Sequence, residues 1–105
     1  MTRAPSNEIF RAIADPTRRA ILDLLVSSER SVKELTDSFP MSQQAVSQHL
    51  KELRAAKLVL SRRVHRENRY RLNAAPLLVV THWLEGFRRF IDPSGHQWAV
   101  RSKKS

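Results

Sequence analysis

Two stretches of this sequence carry side chains suited to reading and gripping a polyanion. The first begins at Ser42 and runs to about Ala56, with Gln43, Gln44, Ser47, Gln48, His49 and Lys51 interleaved with Val46, Leu50 and Leu53. The three apolar residues fall at i, i+4 and i+7, which is one face of a helix. The opposite side then presents glutamine and serine rather than the Glu/Lys mixture of an ordinary solvated face. A glutamine amide can bond an adenine edge at two points, and a serine hydroxyl can reach a base or a phosphate. These uncharged donors crowd into the first two turns, the end of a recognition helix that enters a major groove. The second stretch holds Arg62, Arg63, Arg66, Asn68 and Arg69. Guanidinium groups at this density suit an arm that follows a phosphate backbone or enters a minor groove.

The charge of the whole chain agrees. The 105 residues carry 19 Lys and Arg against 10 Asp and Glu, a formal net charge of +9. Residues 42–72 hold eight of the cations (Lys51, Arg54, Lys57, Arg62, Arg63, Arg66, Arg69 and Arg71) but only two acids, Glu52 and Glu67. An excess of this size points to nucleic acid more than to a membrane, because the most basic stretch lacks a large apolar face. No cysteine is present, which excludes disulfides and thiolate metal sites. The four histidines fall on different predicted elements. No paired carboxylates accompany them, and with only Gly86 and Gly95 there is no phosphate-binding glycine loop, so an enzyme such as a nuclease is disfavoured. Met1–Glu8 does not resemble a signal peptide and no run of about 18 apolar residues occurs. A cytoplasmic location and no membrane partner are expected.

The elements that must position these residues are well punctuated. Ile9, Phe10 and Ile13 mark a helix over 7–14, capped by Ser6 or Asn7. Asp15-Pro16 ends it and opens a second helix, with Asp15 as N-cap. Ser31 with Glu34 fits a capping box at the start of a third. Phe39-Pro40-Met41 breaks the chain before Ser42 caps the fourth. Leu58–Leu60 and Tyr70–Leu72 read as two strands around a turn centred on His65–Asn68, with Asn68 supplying the positive φ. Ala75 or Pro76 begins a last helix that runs to about Ile91. The expected fold is mainly α with a small β-hairpin wing, a winged helix-turn-helix. An N-terminal arm over 1–6 and a flexible basic tail over 93–105 flank one domain over 7–92.

The last helix carries an argument about assembly. Wound at about 100° per residue, Leu77, Val79, Val80, Trp83, Leu84, Phe87, Phe90 and Ile91 occupy an arc of roughly 160°. That exceeds the ~100° stripe needed to cover one core. A second subunit is the natural partner for the surplus, and Ile9, Phe10 and Ile13 can join the same surface. A symmetric homodimer would carry two recognition helices about one DNA turn apart and read an inverted repeat.

With these residues in view the chain resembles the ArsR/SmtB family of winged-helix repressors over about residues 7–91. The matching stretches are Ala14–Leu22 (from Ala14-Asp15-Pro16-Thr17-Arg18-Arg19), Val46–Leu53 and Asn68–Leu72. The resemblance implies a homodimer formed by the first and last helices. It implies autorepression at a palindromic operator in double-stranded DNA, relieved by a metal or another inducer. Three features depart from the family pattern. Lys57 stands where a glycine often follows the recognition helix. Ser31–Leu35 lacks the thiolate box. His82 and Glu85 supply only half of the last-helix metal site, since Arg69 and Arg71 occupy the upstream positions. No metal and no cofactor are therefore expected, and an inducer, if one acts, is of unknown identity.

Overall fold

The computed structural model describes residues 5–91. The expected tail over 93–105, and residues 1–4 of the expected arm, lie outside them. Helix α1 spans Pro5–Ile13. It starts two residues ahead of the expected position 7, because a proline ring fits the first helical turn, where its missing N–H is not needed. Helix α2 spans Pro16–Leu25, with the Asp15 side chain accepting from the Arg18 N–H at 2.9 Å. The two arginines that follow Pro16 close the end of α1. Arg18 Nε donates to the Ala12 carbonyl at 2.7 Å and Nη2 to Arg11 at 3.1 Å, while Arg19 Nη1 donates to Ile13 at 2.8 Å. Carbonyls that a helix terminus leaves unpaired are thus satisfied by cations, which the helix dipole also favours there.

A strand absent from the sequence reading follows: β1, Arg30–Ser31. Ser31 ends this strand and also caps α3, Val32–Thr36, with both arms of the capping box formed: Glu34 N–H to Ser31 Oγ at 3.1 Å and Ser31 N–H to Glu34 Oε1 at 2.8 Å. Helix α4 spans Gln43–Ala55, capped by Ser42. Strands β2, Val59–Val64, and β3, Glu67–Leu72, form the hairpin, and β3 is the central strand of an antiparallel sheet ordered β1-β3-β2. Val59 faces Leu72 and Val64 faces Glu67. The connection is therefore the two residues His65 and Arg66, both with positive φ, 48° and 73°. Asn68 lies within β3, so the expected four-residue turn and its positive φ at Asn68 are corrected. Two-residue hairpins favour a pair of positive φ values because that turn matches the twist of the strands.

The end of α4 shows how Lys57 is accommodated. Lys57 has φ 65°, its N–H bonds the Arg54 carbonyl at 2.9 Å, and the Leu58 N–H reaches back to Leu53 at 2.9 Å. This is the pattern of bonds with which a helix stops on a left-handed residue, usually glycine. Leu53 and Leu58, the apolar pair of that motif, are both fully buried. Asn73 Nδ2 holds the Lys57 carbonyl at 2.7 Å.

The core gathers Ile9, Ile21, Leu25, Leu35, Val46, Leu50, Leu53, Leu58 and Val59 with Tyr70. Each fully buried aliphatic side chain contributes about 1.5–3 kcal/mol. The last helix differs from expectation. A 3-10 turn over Ala75–Leu77 leads into α5, Leu78–Glu85, and a second turn covers Arg88–Phe90. The helix stops at Gly86 instead of running to Ile91, the Gly86 N–H bonding the Trp83 carbonyl at 3.2 Å in a tightened last turn; glycine is a poor helix former.

Candidate nucleic-acid interface

Helix α4 divides its surroundings three ways. Val46, Leu50 and Leu53 are buried against the core. Gln43, Gln44, Ser47, Gln48 and Lys51 are exposed, as is the cap Ser42. Gln48 Nε2 is steadied by Glu52 Oε2 at 3.2 Å, one turn on. His49 points elsewhere. About 200° round the helix from Ser47, it lies against the start of α2, with Nδ1 3.4 Å from Arg18 Nη1 and 3.9 Å from Asp15 Oδ2. This expected DNA-contacting residue thus also joins α4 to the α1–α2 corner. The Arg18 N–H, and after it the His49 ring, hold the Asp15 carboxyl below its usual range.

The arginines of the hairpin separate into two groups. Arg63 and Arg66 are exposed near the tip, and Arg63 Nη1 bonds Asn68 Oδ1 at 3.3 Å. Arg69 is not free. Its guanidinium meets Glu67 at 2.8 Å, Glu34 at 3.2 Å and Glu29 at 3.3 Å, and also donates to the Glu29 carbonyl. Arg62 grips Glu29 with two bonds, Nε to Oε2 at 2.8 Å and Nη2 to Oε1 at 3.0 Å. Arg69, expected to contact DNA, is thus engaged with protein acids at the base of the hairpin. Arg62 keeps 63% of its side chain exposed while paired, so it stands at the edge of this cluster.

The electrostatics follow. The Arg62 bond, then that of Arg69, draws Glu29 below the ordinary carboxylate range. The Ser31 N–H, with Arg69 behind it, does the same for Glu34. Arg62 and Arg69 are held even more firmly protonated, by Glu29 and by Glu67 respectively. The cluster bolts β3 to β1 and to the cap of α3, which sets the base of the wing relative to the helices. Neither Glu29 nor β1 was legible in the sequence. A two-residue strand has no periodicity, and an acid 33 and 40 positions from its partners leaves no local signal.

A separate surface is apolar. Trp83 is 56% exposed, Phe87 44%, Phe90 64% and Ile91 47%, with Leu78 and Leu84 also open. Trp83 meets Phe10 of α1 edge to face at 5.8 Å and Phe87 at 5.0 Å. Val80 and Ile13 are half-buried against the core. Ile9, expected on a subunit interface, is 3% exposed inside the chain's own core, and that expectation is corrected. Among the described residues no three His, Cys, Asp or Glu side chains gather into a metal-binding group, and no helix is long and apolar enough to cross a membrane.

Helix pairs, an exposed glutamine-rich helix and an arginine-tipped hairpin define a winged helix-turn-helix DNA-binding protein. A helix-turn-helix domain family matches residues 13–62. The chain is 35% identical to the transcriptional repressor SdpR of Bacillus subtilis over 77% of its own length and 90% of that protein's. It is 37% identical to the transcriptional regulator Rv2034 of Mycobacterium tuberculosis, covering 89% and 94%. Among solved structures, an ArsR-like transcriptional regulator from Rhodococcus superposes with a TM-score of 0.73 at 36% identity, over 81% of this chain and 78% of that one. The chain belongs to the ArsR/SmtB family of winged-helix transcriptional regulators, a family of regulators and not of enzymes.

Proposed function

We propose that this DNA-binding regulator is a homodimeric repressor that recognises an inverted-repeat operator, its own promoter included. The observation that carries this reading is the separation of two surfaces. The donors Gln43, Gln44, Ser47, Gln48 and Lys51 are exposed on α4, and Arg63 and Arg66 are exposed on the hairpin whose first strand packs against that helix. The open aromatic row of α5 and the turn after it lies apart from them, joined to α1 through Phe10. In this reading α4 enters a major groove, Arg63 and Arg66 follow the backbone at the neighbouring minor groove, and Trp83, Leu84, Phe87, Phe90 and Ile91 meet the same residues of a second copy across a two-fold axis. Phe10, Ile13 and Val80 border that contact. An exposed apolar patch of this kind on a small domain marks an interface. A two-fold dimer imposes its symmetry on the DNA, so the half-sites stand about 10–10.5 bp apart or a multiple of that.

The test is capture of genomic fragments bound by the full chain, with sedimentation of the free protein. The expected result is a dimer in solution and a shared inverted repeat. A monomer that binds unsymmetrical single sites would overturn the dimeric reading. Fragments with no common motif would overturn sequence-specific recognition.

A further inference from the structure

Between the later turns of α4 and the sheet lies an open cleft of about 520 Å³, lined by Ser47, Lys51, Arg54 and Ala55 of α4 and by Tyr70 of β3. Three features make it a site for an anion. Ser47, Lys51 and Arg54 stand at i, i+4 and i+7, so their polar ends line one side of the helix. The ion pairs among the described residues engage Arg62, Arg69 and Arg88 and leave Lys51 and Arg54 without an acidic partner. Tyr70 is only 8% exposed, and its hydroxyl bonds no protein group among the described residues. A phenol in the wall of an open cleft keeps its hydroxyl available as a donor to whatever enters.

We propose that this cleft seats one phosphodiester of the DNA backbone, with Lys51 and Arg54 supplying charge and Ser47 and Tyr70 supplying hydroxyl donors. The inference rests on the docking described above. In any duplex a sugar-phosphate strand separates the major groove from the adjacent minor groove. A protein with α4 in one and its hairpin over the other must therefore have that strand pass between them, and the cleft is the gap between them. Arg54 and Tyr70 become contacts that bear on affinity for every sequence, since phosphate contacts carry no base identity. They also fix how deep α4 sits.

The experiment measures binding of the full chain to a fluorescent 30-bp duplex taken from the captured fragments, as a function of salt. It is repeated with duplexes in which single phosphates are replaced by uncharged methylphosphonates. Wild type is expected to show one phosphate in each half-site whose neutralisation weakens binding most. Arg54→Gln is expected to weaken binding about tenfold, to reduce the salt slope by about 1 per protomer, and to erase the penalty at that phosphate alone. Tyr70→Phe keeps the buried ring and is expected to cost about fivefold in affinity with an unchanged melting temperature. If wild type binds the duplex but Arg54→Gln retains the full methylphosphonate profile and slope, the cleft is not a phosphate seat, and the DNA-binding reading stands. If wild type binds no duplex, both fail.

Discussion

Replacing Lys57 with glycine is expected to stabilise the domain, although Lys57 touches nothing that a glycine would improve. Lys57 holds φ 65°, a conformation that costs an L-residue roughly 1–2 kcal/mol because Cβ crowds the following carbonyl. Glycine escapes this cost but loses more backbone freedom on folding, roughly 0.5–1 kcal/mol. The difference leaves a gain of about 0.5–1 kcal/mol. The bonds that define the stop, Lys57 N–H to Arg54 and Leu58 N–H to Leu53, are backbone bonds and survive the change. For a domain of this size each kcal/mol moves the melting temperature by roughly 4–8 °C, so Lys57→Gly is expected to melt about 2–8 °C higher by circular dichroism. Lys57→Ala is the control, since it removes the charge and stem but keeps Cβ and so keeps the strain. An alanine variant as stable as the glycine variant would refute the reasoning, because the gain would then come from charge and not from φ.

Three further outcomes follow from the same geometry. The carboxyls of Asp15, Glu29 and Glu34 are lowered by their partners, so the folded chain binds fewer protons than the unfolded chain in the acidic range. Their contribution is complete above about pH 5 and is lost as pH falls through the folded values; the melting temperature is expected to fall between about pH 5 and 3 and to do so less steeply in Glu29→Gln, and an identical pH profile in that variant would contradict the ion-pair account. Arg66→Ala is expected to weaken binding to all duplexes and lower the salt slope by about 1 per protomer, whereas Arg69→Met is expected to lower the melting temperature by several degrees; equal melting temperatures for the two would mean that the Arg69 cluster does not brace the wing. Trp83→Glu or Phe87→Glu is expected to sediment at the 12.1 kDa chain mass where wild type sediments at twice that value, and unchanged dimer mass in both would place the interface elsewhere.

Most of the fold was legible because its signals are local. Asp15-Pro16, the Ser31/Glu34 pair and Ser42 each satisfy orphan N–H groups within a few residues, and such chemistry shows in any short window of sequence. The exposed face of α4 was legible for the same reason. What stayed hidden depends on distance along the chain. Glu29 reaches Arg62 and Arg69 across 33 and 40 residues, so Arg69 looked like one more free cation in a basic run. His49 belongs to the same stretch as Gln48, yet one step of helical rotation carries it from the exposed face to the α2 junction. Ile9 and Phe10 are adjacent and both apolar, but Ile9 lies in the core and Phe10 against Trp83. The hairpin was misjudged in length because His65 and Arg66 are not the residues a positive-φ turn usually recruits.

The bracing of the wing constrains how DNA affinity can be regulated. Helix α4 is tied to the α1–α2 corner through His49, Arg18 and Asp15, and the hairpin base is tied to β1 and the α3 cap through Arg69. Reading helix and wing are thus each anchored to the helical body of the chain. A ligand that loosened the wing from that body would have to break the contacts of Arg69 with Glu29 and Glu34. By contrast, α5 buries no residue of its own, and its start at Leu77 has no side-chain cap. In a dimer built on that surface, small changes in its packing alter the distance between two rigid reading heads, while each head stays intact. In the proposed dimer, affinity for an inverted repeat would depend on that distance, and control would be cheapest at the α5 face.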